Sequence, residues 1–339
     1  MRIAYDVTPL SHPRTGVGNY ILGAIQGMLA ASNGEHRVVA FGPVSIRGRR
    51  LLEQTLGGLD VDRRLLTFPL AHALRRTWSR LGRPPTERFL GGFDVLHFSD
   101  WMYPPQRSGV RATMIHDLGP LHFPQRLDRR TVAMHSGTAR EARRCDVVFV
   151  NSEYTANDVT TTLGIARERI RVAYPGVDDA FTPDGERAGR GRPYAFTTAT
   201  SEWRKNLDTL RRAWAVLDRE LELVAPAEIG YVPHTQLPSL YRGAAVFVYP
   251  SRFEGFGMPV VEAMACAIPC VVSSHPSLDE ASGDAAVRVD PDDTGAIAAG
   301  VRDALARRDE LVARGLAHAK RFTWLETGRV HLQGYAEAL

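Results

Sequence analysis

Lysine and cysteine are scarce in this 339-residue sequence, and long apolar runs are missing. Its three cysteines, Cys145, Cys266 and Cys270, are too few and too scattered for a disulfide framework or a metal site. No apolar run reaches the ~18–20 residues that a membrane-spanning helix needs. Asp6 interrupts the apolar core that a signal peptide would require. We therefore expect buried, reduced cysteines and a cytoplasmic location.

The formal net charge is +4, yet only two lysines occur, Lys205 and Lys320. Arginine supplies the remaining basic charge, and neither zinc-finger spacing nor an aromatic RNA-binding pattern accompanies it, so nucleic acid is not an expected partner. An anionic membrane surface or a phosphorylated acceptor suits these arginines better. Ten of them lie close together between residues 47 and 88: Arg47, Arg49, Arg50, Arg63, Arg64, Arg75, Arg76, Arg80, Arg83 and Arg88.

The length suits two domains, and a content of 44% hydrophobic and 24% charged residues is that of an ordinary globular protein. Short apolar runs alternate with helical patterns in both halves, which predicts βαβ units around parallel sheets. The expected strands are 3–7, 38–41, 95–98, 113–115, 147–150, 195–198, 221–225, 246–249 and 270–273. The expected helices are 17–31, 207–216, 237–242, 260–265, 294–307, 310–320 and 322–339.

Polar side chains follow several of these strands. Because ligands of parallel sheets bind beyond the carboxyl ends of the strands, this edge is the expected functional edge. Its candidates in the first half are Thr8, Ser99, His116, Asp117, Asn151 and Ser152.

The most informative segment runs from Pro250 to Ala265 and has the form strand, glycine loop, helix. Gly255 and Gly257 allow close approach of the backbone to a ligand, and the following helix start offers free N–H groups to an anion. Glu254 precedes the loop and Glu262 lies eight residues later, where carboxylates can accept hydrogen bonds from sugar or ribose hydroxyls. The alternative is a helix cap followed by a solvated glutamate.

This segment resembles the E-x7-E signature of glycosyltransferase family 4, whose members have the GT-B fold and mostly retain the configuration at the transferred carbon. The similarity extends over nearly the whole chain. It includes Thr15–Tyr20, His116-Asp117, Val150–Ser152, Pro175–Asp178, Arg204–Asn206 and Gly230–Pro233.

The resemblance implies an α/β chain of two Rossmann-like domains that face each other across a cleft. Residues 1–174 would form an acceptor-side domain and 175–192 a linker. Residues 193–319 would bind the nucleotide sugar, and the helix of 320–339 would cross back to the first domain. The implied reaction moves a hexosyl group from a GDP-mannose-like or UDP-sugar donor to a glycan, lipid-linked or small-molecule acceptor.

The resemblance also assigns roles to residues. Glu254 would contact the donor sugar and Glu262 the ribose, while Gly255, Phe256, Gly257 and Met258 would line the donor site. Arg204 and Lys205 lie next to the expected switch point of the second sheet, where two cations suit a diphosphate that gains charge as it leaves. A solvated charge pair is the alternative.

Two further features of the first half belong to this assignment. Gly16 and Gly18 would face donor phosphate and acceptor; as a dinucleotide fingerprint the loop is incomplete, since Ile21 stands where a third glycine belongs. His116 would lie over the transferred sugar, although a histidine after a buried strand is more often structural. No metal or other cofactor is expected, because no D-x-D motif follows an apolar strand and the acidic segment 290–293 indicates a solvated loop.

Two departures from the family pattern stand beside the resemblance. Ala199 occupies a position where relatives usually have glycine, and the segment 221–230 lacks a helix and strand that relatives place near the nucleotide base. Base recognition is therefore open. So are two alternatives to transfer: an epimerase or polymerase on the same fold, and a catalytically silent nucleotide-sugar-binding protein.

A possible helix near residue 75 leads to a last expectation. Leu70, Leu74, Trp78 and Leu81 fall on one face, with Arg75, Arg76, Arg80 and Arg83 largely off it. This is the pattern of a helix lying in a membrane interface. The alternative is that the apolar stripe packs into the first domain and the arginines are solvated.

Overall fold

The chain divides into two units, each built on its own parallel β-sheet. The computed structural model describes residues 1–230 and 232–339. Unit 1 comprises Met1–Gly176 and Trp324–Leu339, and unit 2 comprises Val177–Thr323. The expected boundaries were residues 174, 193 and 319. Tyr231, part of the Gly230–Pro233 motif, lies outside the described residues.

The segment after residue 176, expected to be a linker, packs on unit 2. Phe181 is buried, and the guanidinium of Arg242 donates hydrogen bonds to the carbonyls of Glu186, Ala180 and Thr182. Its glycines and prolines prevent regular structure, but side-chain donors from unit 2 satisfy its backbone instead.

Unit 1 has seven strands in the order β3-β2-β1-β4-β5-β6-β7, all parallel to their neighbours. The strands are β1 (Arg2–Asp6), β2 (Arg37–Val44), β3 (Asp62–Thr67), β4 (Val95–Phe98), β5 (Val110–Ile115), β6 (Val147–Val150) and β7 (Ile170–Val172). The helices are α1 (Gly16–Ser32), α2 (Ile46–Thr55), α3 (Ala71–Leu81), α4 (Glu87–Leu90), α5 (Gly119–His122), α6 (Arg129–Ala142), α7 (Glu153–Leu163) and α15 (Trp324–Ala338).

Local sequence explains these elements. Central strands such as β6 are continuous apolar runs with every residue buried, as expected when helices cover both faces of a parallel sheet. The helix starts carry capping residues: Ser152 accepts a hydrogen bond from the amide of Thr155 at 2.9 Å. The core of the unit lies between the sheet and helices such as α1, where Ile3, Ile25 and Val95 are fully buried.

The C-terminal helix α15 packs on α1 at very short range. A methyl group at Gly27 would overlap the backbone of Trp324, and one at Gly328 would overlap the backbone of Gly27. At Gly23 it would overlap the Trp324 ring. Glycine is therefore required at this crossing, which fixes α1 and the loop that precedes it.

Unit 2 has five parallel strands in the order β12-β11-β10-β8-β9. The strands are β8 (Tyr194–Phe196), β9 (Glu222–Val224), β10 (Val246–Tyr249), β11 (Cys270–Ser273) and β12 (Ala286–Val289). The helices are α8 (Leu207–Leu217), α9 (Pro226–Ile229), α10 (Leu237–Gly243), α11 (Met258–Ala265), α12 (Pro276–Ser282), α13 (Thr294–Ala306) and α14 (Arg308–Ala319).

The strand orders define a switch point in each sheet, where successive strands begin to add on the opposite side. In unit 1 it lies between β1 and β4, and in unit 2 between β8 and β10. Ligands of such sheets bind at the carboxyl ends of the strands at this point. In unit 2, Arg204 and Lys205 follow β8, and Glu254 follows β10. In unit 1, Thr8 follows β1 and Ser99 follows β4.

Candidate active site

In unit 2 the loops after β8 and β10 lie side by side. The amide of Arg252 donates to the carbonyl of Arg204 at 2.7 Å. The side-chain amide of Asn206 donates to the carbonyls of Pro250 at 3.0 Å and Pro291 at 2.6 Å. Asn206 is buried and adopts a left-handed backbone conformation with φ 57°, which asparagine tolerates better than most residues. It joins the two loops.

These loops bring two cations onto one carboxylate. Nζ of Lys205 lies 2.7 Å from Oε1 of Glu254, and a guanidinium nitrogen of Arg204 lies 3.1 Å from Oε2. The hydroxyl of Tyr249 donates to Oε1 of Glu254 at 2.8 Å and accepts from Lys205 at 2.5 Å. In this structure Glu254 is the anion that compensates the two cations.

The electrostatics of the cluster follow from its burial. Burial raises the pKa of Glu254, but Lys205 and Arg204 outweigh it and lower that pKa to about 2. Burial lowers the pKa of Lys205, and Glu254 outweighs it, so the net shift is upward. Burial and then Glu254 raise the pKa of Tyr249 to about 12. At neutral pH the cluster therefore holds two cations, one anion and a neutral phenol.

The glycine loop ends at α11. Gly257 has φ +117°, and a methyl group there would lie 2.5 Å from Leu278, so its glycine is a structural requirement. Phe256 is buried and packs edge-on against Phe322, with ring centroids 5.2 Å apart. Its side chain belongs to the core, which leaves the backbone as the part of Phe256 available to a donor. Met258 opens the helix and is half-buried.

Glu262 lies in a separate group of contacts. The hydroxyl of Tyr241 donates to its Oε2 at 3.0 Å. Burial raises the pKa of Glu262, against an opposing effect of His234. Nε2 of His234 lies 3.8 Å from a carboxylate oxygen of Asp178. The chain therefore carries its two E-x7-E glutamates in different environments, one between cations and one beside a phenol and an imidazole.

In unit 1, His116 and Asp117 follow β5. The ring of His116 meets Tyr20 edge-on, with centroids 5.1 Å apart. Burial lowers the pKa of His116 to about 4, against the opposing effect of Asp117, so the imidazole is neutral at pH 7. One oxygen of Asp117 accepts a hydrogen bond from the amide of Gly119 at 2.8 Å, which fixes the carboxylate.

Tyr20, which contacts His116, is also part of a buried hydrogen-bond network. The hydroxyl of Tyr20 donates to the carbonyl of Ala173 at 3.1 Å and lies 3.0 Å from Nε2 of His331. Nδ1 of His331 lies 3.1 Å from the hydroxyl of Tyr335, which lies 2.7 Å from Nδ1 of His97. Every contact is satisfied when both imidazoles are neutral, and burial lowers the pKa of both.

The two glycines in the first turn of α1 have open space beside them, where a ligand was expected. A methyl group at Gly16 would meet nothing within 4 Å, and one at Gly18 would touch Leu10 at 3.5 Å. The fold therefore does not require glycine at either position. The hydroxyl of Thr15 accepts the amide of Gly18 at 3.5 Å and caps the helix.

Sequence reasoning missed Asp6 as a member of this edge. Asp6 is fully buried at the end of β1, and its carboxylate accepts hydrogen bonds from the amides of Thr8 at 2.8 Å and Ser99 at 3.2 Å. The hydroxyl of Ser99 also donates to it. Asp6 thus holds the ends of β1 and β4 together at the switch point. A charged residue at the end of an apolar strand was the available signal.

The expectation that Leu70, Leu74, Trp78 and Leu81 form one apolar face of α3 is wrong in part. Trp78 is buried and donates from its indole to the carbonyl of Pro84 at 2.6 Å. Arg75 is also buried, with its guanidinium 5.1 Å from the centre of the Trp101 ring. Leu70 and Leu81 are exposed instead. Trp78 therefore packs into unit 1 and is not a membrane anchor in this structure.

Two absences concern the described residues alone. Within 1–230 and 232–339, no three side chains of His, Cys, Asp or Glu converge as a metal site would need. The same residues contain no helix with the length and apolar character to cross a membrane.

Comparisons with known proteins identify this pair of parallel α/β units as a glycosyltransferase of the GT-B fold. Residues 14–181 match the family model described as Glycosyltransferase Family 4, and residues 228–320 match Glycosyl transferases group 1. The chain belongs to the family 4 glycosyltransferases.

Similar proteins agree with this class. The chain is 27% identical to the O-antigen chain mannosyltransferase B of Escherichia coli, over 96% of each protein. It is 28% identical to a D-inositol 3-phosphate glycosyltransferase of Catenulispora acidiphila, over 74% of this chain and 73% of that protein. Among solved structures, sucrose-phosphate synthase from Thermosynechococcus elongatus superposes with a TM-score of 0.69 at 16% identity, covering 99% and 98% of the two chains.

Proposed function

We propose that the protein transfers a hexosyl group, with mannosyl as the first candidate, from a nucleoside diphosphate sugar to a hydroxyl group of a glycan, lipid-linked or small-molecule acceptor. The transfer retains the configuration at the anomeric carbon and uses neither a metal nor another cofactor. The observation that carries the proposal is the contact of Arg204 and Lys205 with Glu254 beside the glycine loop.

This cluster has the chemistry that a departing diphosphate needs. Breaking the bond between sugar and phosphate leaves extra negative charge on the diphosphate, and fixed cations stabilise that charge. The side chain of Arg204 is 33% exposed and that of Lys205 14% exposed, so Arg204 is the more accessible to an entering phosphate. The start of α11 adds N–H groups on the other side of the loop.

Glu254 would change partners when the donor binds. A diphosphate that takes over Arg204 and Lys205 leaves the carboxylate of Glu254 available for the hydroxyl groups of the donor sugar. Carboxylates accept hydrogen bonds from hydroxyls, and in the protein without a donor Lys205 and Arg204 keep Glu254 ionised. Glu262, within α11, is assigned to the ribose.

The proposed step needs no protein nucleophile. The acceptor oxygen attacks the anomeric carbon on the face from which the diphosphate leaves. One carbon–oxygen bond forms as the other breaks, and the acceptor's proton passes to the departing phosphate. His116, neutral at pH 7, is assigned to contact the transferred sugar.

The donor sugar and the partners are inferred from the relatives. The E. coli protein that aligns over 96% of both chains is named a mannosyltransferase, which puts GDP-mannose first among donors. Peripheral contact with an anionic membrane is part of the proposal, with the exposed Leu70 and Leu81 beside the arginines of α3 as its basis.

A thermal-shift panel tests the donor assignment. A ligand present at 100 times its dissociation constant stabilises a protein by ~2.7 kcal/mol, so GDP-mannose, UDP-glucose and ADP-glucose should separate clearly. A comparison of guanosine, GMP and GDP then measures the contribution of each phosphate to the stabilisation. We expect most of the stabilisation to appear with the second phosphate. EDTA is expected to change nothing. If no nucleotide sugar stabilises the protein, the proposal is wrong; stabilisation without turnover on any acceptor would indicate a binding protein.

A further inference from the structure

A cavity of about 100 Å³ opens at the carboxyl edge of unit 1, between the ends of β4 and β5 and the helix α6. It lies wholly within this unit. Its polar lining consists of Asp100, His116, Asp117, His135 and Thr138. Apolar side chains complete it, among them Val17, Met114 and Leu121.

The polar groups of this cavity carry negative charge or none. Burial lowers the pKa of both His116 and His135, so neither imidazole is a cation at neutral pH. Burial, followed by Asp6 and Asp117, raises the pKa of Asp100 to about 7. No lysine or arginine is among the lining residues that the structure describes.

Asp100 has unused hydrogen-bonding capacity. Its Oδ1 is buried and accepts no hydrogen bond within the described chain. The backbone carbonyl of Asp100 accepts from the hydroxyl of Thr138 at 3.1 Å, which fixes the residue between β4 and α6. A buried acceptor without a partner is costly, and a ligand that donates a hydrogen bond to it removes that cost.

We propose that this cavity receives the end of the acceptor, and that it selects a neutral, hydroxyl-rich sugar over a phosphorylated one. The inference rests on the proposed function and specifies its acceptor. Hydroxyl groups donate to Oδ1 of Asp100 and to the carboxyl group of Asp117, and the ring's C–H face lies on the apolar lining, as is usual in ligand pockets with few polar groups.

A phosphate is rejected by the same groups. It carries about −1.5 to −2 charges at neutral pH, and in this cavity it would meet two carboxyl groups with no compensating cation. Like charges brought together in an interface cost several kcal/mol. This separates the protein from the relative named for D-inositol 3-phosphate.

The volume limits how much of the acceptor enters. A 150 Å³ cavity accommodates a benzene ring, so about 100 Å³ with an open mouth suits the edge of one sugar ring. The cavity thus recognises the terminal residue of the acceptor, and the rest of a longer acceptor extends outside.

The first experiment compares methyl α-D-mannopyranoside with its 6-phosphate as acceptors, with release of the nucleoside diphosphate as the measurement. We expect kcat/KM to be at least tenfold higher for the neutral glycoside. Equal or better use of the phosphorylated glycoside overturns the inference but leaves the proposed function standing. Failure of donor binding, measured separately by titration, would instead reject the proposed function.

A second experiment alters the charge of the cavity. His135→Arg introduces a cation and is expected to shift the preference at least tenfold towards the 6-phosphate. His36→Arg, at a half-buried histidine before the amino end of β2, is the matched control and should not shift it. Asp100→Asn should raise the acceptor KM severalfold while the donor dissociation constant stays unchanged. If His135→Arg binds donor normally and neither variant alters acceptor use, the cavity is not the acceptor site.

Discussion

Nζ of Lys205 lies 2.7 Å from Oε1 of Glu254, and both side chains are largely buried. One of the two lysines of the chain is therefore part of an internal ion pair at the switch point of unit 2. Such a pair is an expensive way to stabilise a fold, because desolvation offsets the attraction. The proposed binding of a diphosphate accounts for the presence of these charges.

Replacing Lys205 with alanine is expected to weaken donor binding and turnover together. It removes a cation from a partly desolvated site where a single stabilising donor is worth about 10²–10³-fold. The measurement is kcat/KM for the donor. Lys320→Ala is the natural control, since Lys320 is exposed on the same unit. Near-normal kcat/KM in Lys205→Ala would show that this lysine serves the fold alone.

Glu254→Gln should separate catalysis from nucleotide binding. The amide keeps the shape but no longer competes for Arg204 and Lys205, so GDP should bind as tightly as before or more tightly. Turnover should fall by about 100-fold or more, because a charged hydrogen-bond acceptor for the sugar is lost. Titration with GDP and steady-state kinetics measure the two effects.

Glu202→Gln controls for the loss of a carboxylate next to Arg204. Glu202 lies 3.0 Å from that guanidinium but is 59% exposed, and exposed pairs contribute about 0–1 kcal/mol. Equal losses in both variants, or a parallel loss of GDP affinity in Glu254→Gln, would contradict the role assigned to Glu254.

Gly16→Ala is expected to leave the melting temperature unchanged and to lower donor kcat/KM at least tenfold. The added methyl group meets nothing within the protein, so any effect must come from a ligand that approaches the loop. Gly58→Ala, where a methyl group also meets nothing within 4 Å, is the control. Full activity in Gly16→Ala would remove this loop from the donor site.

The loops of unit 2 show what the sequence could and could not predict. The pairing of β8 with β10 places Arg204 beside Glu254, and the alternation of strands and helices predicted that neighbourhood. The ion pair between Lys205 and Glu254, and the hydrogen bonds of the Tyr249 hydroxyl with both of them, depend on side-chain directions. No local sequence pattern fixes those directions. Asp6 was missed for the same reason, since its contacts join residues 6 and 99.

The fold prediction missed the edge strands β3, β7 and β12, as well as helices of unit 1 such as α2, α6 and α7. β3 (Asp62–Thr67) begins with three charged residues and is mostly exposed. Its sequence is therefore more typical of a loop than of a strand. β7 and β12 are short edge strands as well. A strand with one neighbour lacks the continuous apolar run by which central strands are recognised. The burial of Trp78 also depended on partners distant in sequence, including Phe93 and Met102.

The buried carboxyl of Asp100 predicts a pH dependence of stability. Its folded pKa is raised to about 7 from 3.8, so the folded protein keeps a proton that the unfolded chain releases above pH ~4. The contribution of Asp100 to the free energy of unfolding therefore falls as pH rises from ~4 towards 7, and it is least favourable above pH ~7. Asp100→Asn should raise the melting temperature relative to wild type more at pH 8.5 than at pH 5. A constant difference across that range would contradict the raised pKa.

Membrane contact, if α3 mediates it, depends on exposed residues of that helix and not on Arg75. Arg76→Glu with Arg80→Glu should weaken sedimentation with anionic vesicles at low salt. Binding of the wild type should fall as salt shortens the Debye length from ~10 Å at 0.1 M to ~3 Å at 1 M. Arg212→Glu with Arg219→Glu, exposed on unit 2, makes the same change in charge. No binding of the wild type, or equal effects of both pairs, would reject this surface.

The stereochemistry of the product tests the central claim most directly. The protein is incubated with GDP-mannose and a neutral mannoside, and the anomeric configuration of the new glycoside is read from its one-bond C1–H1 coupling by NMR. The account predicts release of GDP together with an α-mannoside, the configuration of the donor, and a fall in the rate of formation of both products of about 100-fold or more in Glu254→Gln. An inverted β-mannoside, or a transfer that survives unchanged in Glu254→Gln, would contradict it.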